Sequence, residues 1–317
     1  MSKAKLAAAE TSKGTTKEEL VSDLRALGVC RGDLLNVKAS LSSVGYVQGG
    51  AEALLEGLLD SVGAEGTIVT DSFVPAYPLP MSDEDRQKVV TEYTPSYAGA
   101  LANAMLGHPR VIRSRHPIQK FSAIGRLGAD LMQAHGPESA PYDVLRVMAG
   151  LGGRNIKIGP DEKVPGVGTT HVAIGLLGLN QDRSPRGVYY RTDEGRIELF
   201  ERTWAGGCHE GFNNFWPLYY EAGAVEGEGK VGQAPAKITD MSTTLKVELE
   251  TLERVPGFFL CDDPACRSCR LSWEFSSGNL LSVVLHRGLA EVRRSGLRGI
   301  GTTLARIWRN QRFLGRG

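Results

Sequence analysis

The chain has 317 residues, 41% of them hydrophobic and 23% charged, a composition that suits a soluble globular protein with a sizeable core. A formal net charge of +1 gives no bulk attraction to nucleic acid, and no apolar run reaches the roughly 18 residues that a membrane helix needs. Five cysteines in a chain of this length do not make a disulfide framework.

Residues 1–15 are rich in Ala, Lys and Ser and are expected to be flexible. Leu6–Ala9 is too short for a signal-peptide core, so the expected location is cytoplasmic, with neither membrane nor nucleic acid as partner. Thr16 with Glu19 forms a capping-box pattern ahead of Leu20, Leu24 and Leu27, which recur at helical spacing until Gly28. Asp33–Ala39 reads as a strand, Ala51–Val62 as a Leu-rich helix and Thr67–Phe73 as the next strand. This βαβ order predicts a partly parallel sheet. Residues 75–95, with four prolines and Asp83-Glu84-Asp85, read as a long loop. Helices follow at 97–107, Ala129–His135 and Asp143–Ala149, and short strands at Phe121–Ile124 and Asn155–Ile158. A loop over 160–168 leads into Thr169-Thr170-His171 and the apolar helix Val172–Leu179.

The second half alternates differently. Arg186–Arg191 and Arg196–Arg202 read as a hairpin around Asp193-Glu194-Gly195. Phe212–Gly223 and Thr239–Glu253 read as helices, the latter capped by Thr239 or Asp240, and a Cys-rich turn follows at 261–269. The expected fold is α/β, a single mixed, partly parallel sheet flanked by helices with an elaborated C-terminal half. The domain is placed over residues 16–290, with a basic tail at 291–317 whose arginines suit a solvated helix face or an anionic contact. A homodimer remains open.

Four ordered stretches carry a resemblance. They are Gly32–Gly45 with its continuation Gly49-Gly50 and Glu65-Gly66-Thr67; Thr94-Pro95-Ser96 with Arg113–Pro117 and Phe121–Gly125; Pro141-Tyr142-Asp143 with Gly152-Gly153; and Thr169-Thr170-His171. Gly207–Phe212 is a weaker fifth. In this order and spacing, over roughly residues 16–270, the chain resembles the aminoglycoside 3-N-acetyltransferase (antibiotic N-acetyltransferase) family. The resemblance implies transfer of an acetyl or other short acyl group from acetyl-CoA or another acyl-CoA to an amine of a small molecule.

The residues are compatible with that chemistry. An attacking amine must lose a proton, and a histidine is matched in pKa to take it, so His171 is the expected general base. Thr170 and Thr169 could donate to the developing oxyanion or to the thiolate. Thr169 could equally be a plain helix cap. For the donor, Ser40, Leu41, Ser42, Val44 and Gly45 form a turn whose backbone suits the pantetheine amides. Lys38, Arg113 and Arg115 could face phosphates, with Ser114, His116 and Ser122 beside them. An ordinary βα turn and a solvated loop are the alternatives.

One departure stands out. The family usually places a glutamate three positions after the catalytic histidine, where this chain has Ile174. Asp161, Glu162 and Glu210 are candidate substitutes because they lie in or near the motif loops. The departure leaves open a repurposed member that binds CoA or a metabolite, or one with altered acyl-transfer chemistry. Cys261, Cys266 and Cys269, spaced C-x4-C-x2-C, suit a structural zinc if Cys208 or His209 supplies a fourth ligand, and otherwise read as reduced thiols. Cys30 reads as a small core residue. No H-E-x-x-H pattern supports a zinc hydrolase.

Overall fold

The computed structural model describes residues 14–179, 185–202, 208–261, 266 and 269. Most of residues 1–15 and all of the basic tail at 291–317 lie outside them. Thr15 itself is bridged to Val47, and its N–H donates to Tyr46 O at 2.9 Å.

The N-terminal half builds the sheet. Helix α1 (Lys17–Ala26) carries the capping box read from the sequence, with the Thr16 hydroxyl and Glu19 carboxylate each accepting from the other's backbone N–H. Strand β1 (Leu34–Ala39), the short helix α2 (Leu41–Val44), helix α3 (Gly50–Val62) and strand β2 (Thr67–Asp71) follow. The long loop is partly ordered as β3 (Tyr77–Pro78) and α4 (Asp83–Arg86), the latter capped by Ser82. Next come α5 (Ala100–Gly107), β4 (Ile112–Arg113), β5 (Phe121–Gly125), α6 (Gly128–Gln133), α7 (Asp143–Gly150), β6 (Arg154–Ile158) and α8 (Thr169–Leu176). Helix α8 starts at Thr169, so His171 lies inside its first turn and not ahead of it.

The C-terminal half supplies the hairpin β7 (Arg186–Arg191) and β8 (Ile197–Arg202), and α9 (His209–Phe212). A 3-10 turn, α10 (Trp216–Glu221), β9 (Val225–Val231), β10 (Ala234–Asp240) and α11 (Met241–Arg254) complete it. Asp240 is the cap of α11 and accepts from the Thr243 N–H at 2.7 Å.

Seven strands form one sheet in the order β4-β5-β2-β1-β6-β10-β9. The central β2-β1-β6 pairs are parallel and the outer ones antiparallel. Strands β3, β7 and β8 make a separate three-stranded sheet. The mixed sheet flanked by helices is the architecture expected. Strands β9 and β10 were not foreseen: Val225–Val231 reads Glu-Gly-Glu-Gly-Lys through its middle and lacks apolar alternation. Gly232 sits at positive φ in the first position of their two-residue turn, the one local signal of a hairpin.

Side chains alternate across the sheet, so both faces are buried. Leu35, Val37, Ile68, Ile124, Ile156 and Ile238 pack against Leu20, Leu24, Leu54, Leu58 and Met105 of α1, α3 and α5. On the other face, Leu34, Val69, Phe121 and Ala123 meet Met132, Leu145, Met148 and Val172 of α6, α7 and α8. A third cluster joins Ile174 of α8 to Phe215, Trp216, Tyr219 and Leu252. Cys30 corrects the sequence reading: it is exposed, at a helix end and outside the core.

Candidate active site

A cleft of about 430 Å³ opens at the C-terminal ends of β1 and β2. Lys38, Ala39, Thr70 and Asp71 form its floor, and Tyr97, Tyr142, Lys163, His171, Arg202 and Phe212 its walls. This is where ligands bind in open α/β sheets, because the strand ends and following loops leave a crevice there. A larger depression of about 800 Å³ between α1 and α3 is lined by solvated charges such as Lys17, Arg25, Arg31 and Asp60, and by none of the candidate catalytic or donor-binding residues.

His171 reaches the cleft because Gly168 lets the start of α8 settle on the sheet. A Cβ at Gly168 would lie 2.5 Å from Leu145 Cδ1, and within 4 Å of Asn36 and Lys38 side-chain atoms. The His171 ring is half-buried. It stacks on Tyr142 with centroids 4.1 Å apart and planes 6° from parallel, and meets the edge of Phe212 at 4.8 Å. Burial pushes the Tyr142 phenol well above its ordinary pKa, so that ring remains neutral.

The two threonines before His171 turn the other way, which corrects the expectation that they face a reacting carbonyl. Both are fully buried. Thr169 Oγ1 donates to Glu248 Oε1 at 3.0 Å and Thr170 Oγ1 donates to the same oxygen at 2.7 Å; the Tyr219 hydroxyl donates to it as well. Glu248 comes from α11, and burial raises its carboxyl to about 8 against three hydrogen bonds that lower it. These threonines therefore fasten α8 to α11. The sequence signal for Glu248 was its register: Met241, Thr244, Glu248, Thr251 and Leu252 share the buried face of α11.

The expected donor residues divide. Lys38 lines the cleft and pairs with Asp71 at 3.2 Å. Ser40, Leu41, Ser42, Val44 and Gly45 continue directly from β1. The Ser40 hydroxyl shares a hydrogen bond with that of Ser43, and Ser42 Oγ accepts from Lys163 Nζ at 3.2 Å. Arg113, Ser114, His116 and Ser122 are not on the cleft, and their placement corrects the sequence reading. Arg113 donates to the carbonyls of Glu92 and Ser72, each at 2.7 Å, and of Thr94, binding the 72–94 loop; burial lowers its guanidinium to about 10. Ser114 Oγ lies between the Phe121 N–H and His135 Nδ1. His116 and Ser122 are fully buried. Arg115 pairs with Asp193 on the β7–β8 turn. Arg-Ser-Arg-His is polar in sequence, but only packing shows that it braces a loop.

The three acids proposed to replace the one missing at Ile174 lie in different settings. Asp161 pairs with Lys157 at 2.6 Å, and Glu162 and Glu210 are exposed. Ile174 is 1% exposed within the apolar cluster around Phe215 and Tyr219. Phe212 and Lys163, both on the cleft, carried no role in the sequence reading.

The cysteines converge. Cys208 at the cap of α9 joins Cys261, Cys266 and Cys269, with all four Sγ atoms within 4.8 Å of one another. Among the described residues, no helix is long and apolar enough to cross a membrane.

The family model described as aminoglycoside 3-N-acetyltransferase matches residues 37–253, more than half of the chain. An aminoglycoside N(3)-acetyltransferase VIII from Streptomyces fradiae is 34% identical over 163 residues. That alignment covers 45% of this chain and 56% of the relative, so the match spans about half of that protein. An aminoglycoside N(3)-acetyltransferase III from Serratia marcescens is 28% identical over 75% of this chain and 97% of its own length. The crystal structure of aminoglycoside acetyltransferase AAC(3)-IIb superposes with a TM-score of 0.65 at 28% identity, covering 77% of this chain and 98% of that one. With the family model matching residues 37–253, the chain belongs to the aminoglycoside 3-N-acetyltransferase family.

Proposed function

We propose that the protein transfers an acetyl or other short acyl group from acyl-CoA to an amine of a small molecule, with His171 as general base. Aminoglycosides are the acceptor class named for its relatives, and antibiotic resistance is the corresponding role. The observation that carries the reading is the position of His171: a half-buried imidazole, held by Tyr142 and Phe212, on the wall of a strand-end cleft.

In this scheme the amine nitrogen attacks the thioester carbonyl and passes its proton to His171. The tetrahedral intermediate collapses, the C–S bond breaks, and the imidazolium returns the proton to the departing sulfur, giving the amide and free CoA thiol. Lys38 and Lys163 line the cleft and supply cations suited to donor phosphates or to the developing oxyanion, and in this reading the Ser40–Gly45 turn offers backbone groups to pantetheine. The hydroxyls of Thr169 and Thr170 do not enter these steps. They hold α8 in place through Glu248.

Ile174 favours one other reading, a member that binds CoA but has lost efficient transfer, because no acid occupies that turn of α8. Incubation with acetyl-CoA and a panel of amines, including aminoglycosides, separates the two. Free CoA and acylated amine detected together by mass spectrometry are expected. Calorimetric CoA binding without product across the panel would favour the second reading, and no CoA binding would sink both.

A further inference from the structure

Four of the five cysteines gather from two distant stretches of chain. Cys208, Cys261 and Cys269 are buried and Cys266 is partly so. Sγ of Cys208 lies 3.7 Å from that of Cys266, and Sγ of Cys269 lies 3.6 Å from that of Cys261. A disulfide needs about 2.05 Å, so these are not bonded pairs. A tetrahedron of sulfurs around a metal at about 2.3 Å has edges of about 3.8 Å, which the two separations match. Two backbone N–H groups also point at sulfur: Gly211 donates to Cys208 Sγ at 3.4 Å and Cys261 donates to Cys269 Sγ at 3.3 Å. Such donors favour thiolates, the form that ligates a metal.

We propose that Cys208, Cys261, Cys266 and Cys269 bind one zinc ion tetrahedrally, and that this ion clamps the aromatic wall of the His171 cleft. An all-thiolate set with no remaining position makes the ion structural and not catalytic, and four soft ligands in tetrahedral geometry suit zinc. The clamp follows from what Cys208 is attached to. It caps α9, whose last residue, Phe212, sets its edge against His171. Helix α9 already lies so close to the 258–261 segment that a Cβ on Gly211 would be 2.0 Å from Phe259 O. Asn214 adds two bonds, its Nδ2 donating to Phe258 O at 2.8 Å and to Leu260 O at 3.2 Å. The metal would join the same two segments at the end that faces the cleft.

The test begins with elemental analysis of the full chain as purified, where about one zinc per chain is expected. Cobalt exchanged into the site should show the intense visible bands of a tetrahedral thiolate complex. Cys266→Ser and Cys269→Ser should lose the metal, and Cys30→Ser should keep it. If the serine variants do not fold, Cys266→His keeps a zinc ligand and should retain zinc with a weaker thiolate-to-cobalt band. Iron in place of zinc, disulfides, or four thiols that react freely without a chelator would overturn the site.

The clamp rests on the acetyltransferase reading and is measured separately. Stripping zinc under native conditions should raise KM for the amine several-fold while calorimetric CoA affinity stays unchanged. An unchanged KM in stripped protein that still contains folded α9 would overturn the clamp. Failure of CoA to bind the zinc-loaded protein would count against the proposed function and leave the zinc stoichiometry standing.

Discussion

Two stacked histidine sites lie at the ends of one aromatic seam, and they behave as opposites. At one end His171 stacks on Tyr142; at the other His116 stacks on His135, with centroids 5.0 Å apart. Phe121 stands between, 6.1 Å from Tyr142 and 5.6 Å from His135. The His171 end opens on the cleft. The other end is sealed: His116 and His135 are 0% and 1% exposed, and burial lowers their imidazoles to about 3 and about 4. His116 Nδ1 accepts from the N–H groups of Ile118 and Gln119, so its ring is held neutral. Residue type and stacking are shared. Burial separates them: His116 and His135 are sealed and held neutral, whereas His171 lies on the wall of the cleft.

The comparison breaks most severely at His171. His171→Ala should lower turnover on the order of a hundredfold to ten-thousandfold while leaving CoA affinity nearly intact, because the base acts on the acceptor's proton. Steady-state kinetics beside calorimetry reads both numbers, and full activity in the variant would show this histidine to be structural. His116→Gln should leave turnover unchanged.

Next in size is Ile174→Glu. The family's acid cannot simply be restored at this position, since its side chain would enter the cluster around Phe215 and Tyr219. We expect a loss of about 3 to 5 kcal/mol in urea unfolding, as for an uncompensated buried charge. Unchanged stability with a faster reaction would mean that position 174 can face the imidazole after all.

Smaller effects sharpen the comparison through pH. A histidine depressed in the folded state binds its proton only on unfolding. Stability from His116 and His135 is therefore complete above pH 6.5 and falls as pH drops from there toward 4, by at most about 1.4 kcal/mol per pH unit for each. His116→Gln should flatten that acid limb, and an unaltered limb would contradict a buried neutral ring.

Glu248 gives the opposite sign. Its carboxyl is raised from an ordinary 4.5 to about 8, so its protonated form stabilises the fold below 4.5, and that contribution is lost as pH rises to about 8. Glu248→Gln keeps an acceptor for Thr169, Thr170 and Tyr219 and removes the titration. Its stability relative to the parent should rise between pH 5 and 8, by at most about 1.4 kcal/mol per pH unit. A parallel pair of curves would show that Glu248 does not titrate there.

Much of the frame was legible because its signals are local. The Thr16 cap, the leucines of α3 and the strand read at Asp33–Ala39 each follow from near-neighbour spacing; the first two formed as read, and the strand starts one residue later, at Leu34. The hairpin β9–β10 was not legible, because its polar, Gly-rich strand is stabilised by pairing with β10, and β10 by pairing with β6. The site shows the same division. His171 was named from its motif. Glu248, remote in sequence and hidden as one acid among many on a helix, was not, and Arg113 was misplaced because nothing local distinguishes a phosphate contact from a bond to three carbonyls.

The sequence by itself determined the family, the order of helices and strands in the first half, and the histidine at the start of α8, since these are written in spacing and composition. Only the tertiary structure decided which polar groups face the cleft, which hold helices together, and that Cys208 meets Cys261, Cys266 and Cys269. The physical reason is burial. A hydroxyl, a carboxylate or a thiol acquires its role from the partners and the water around it, and in this fold those partners come from segments far apart in the chain.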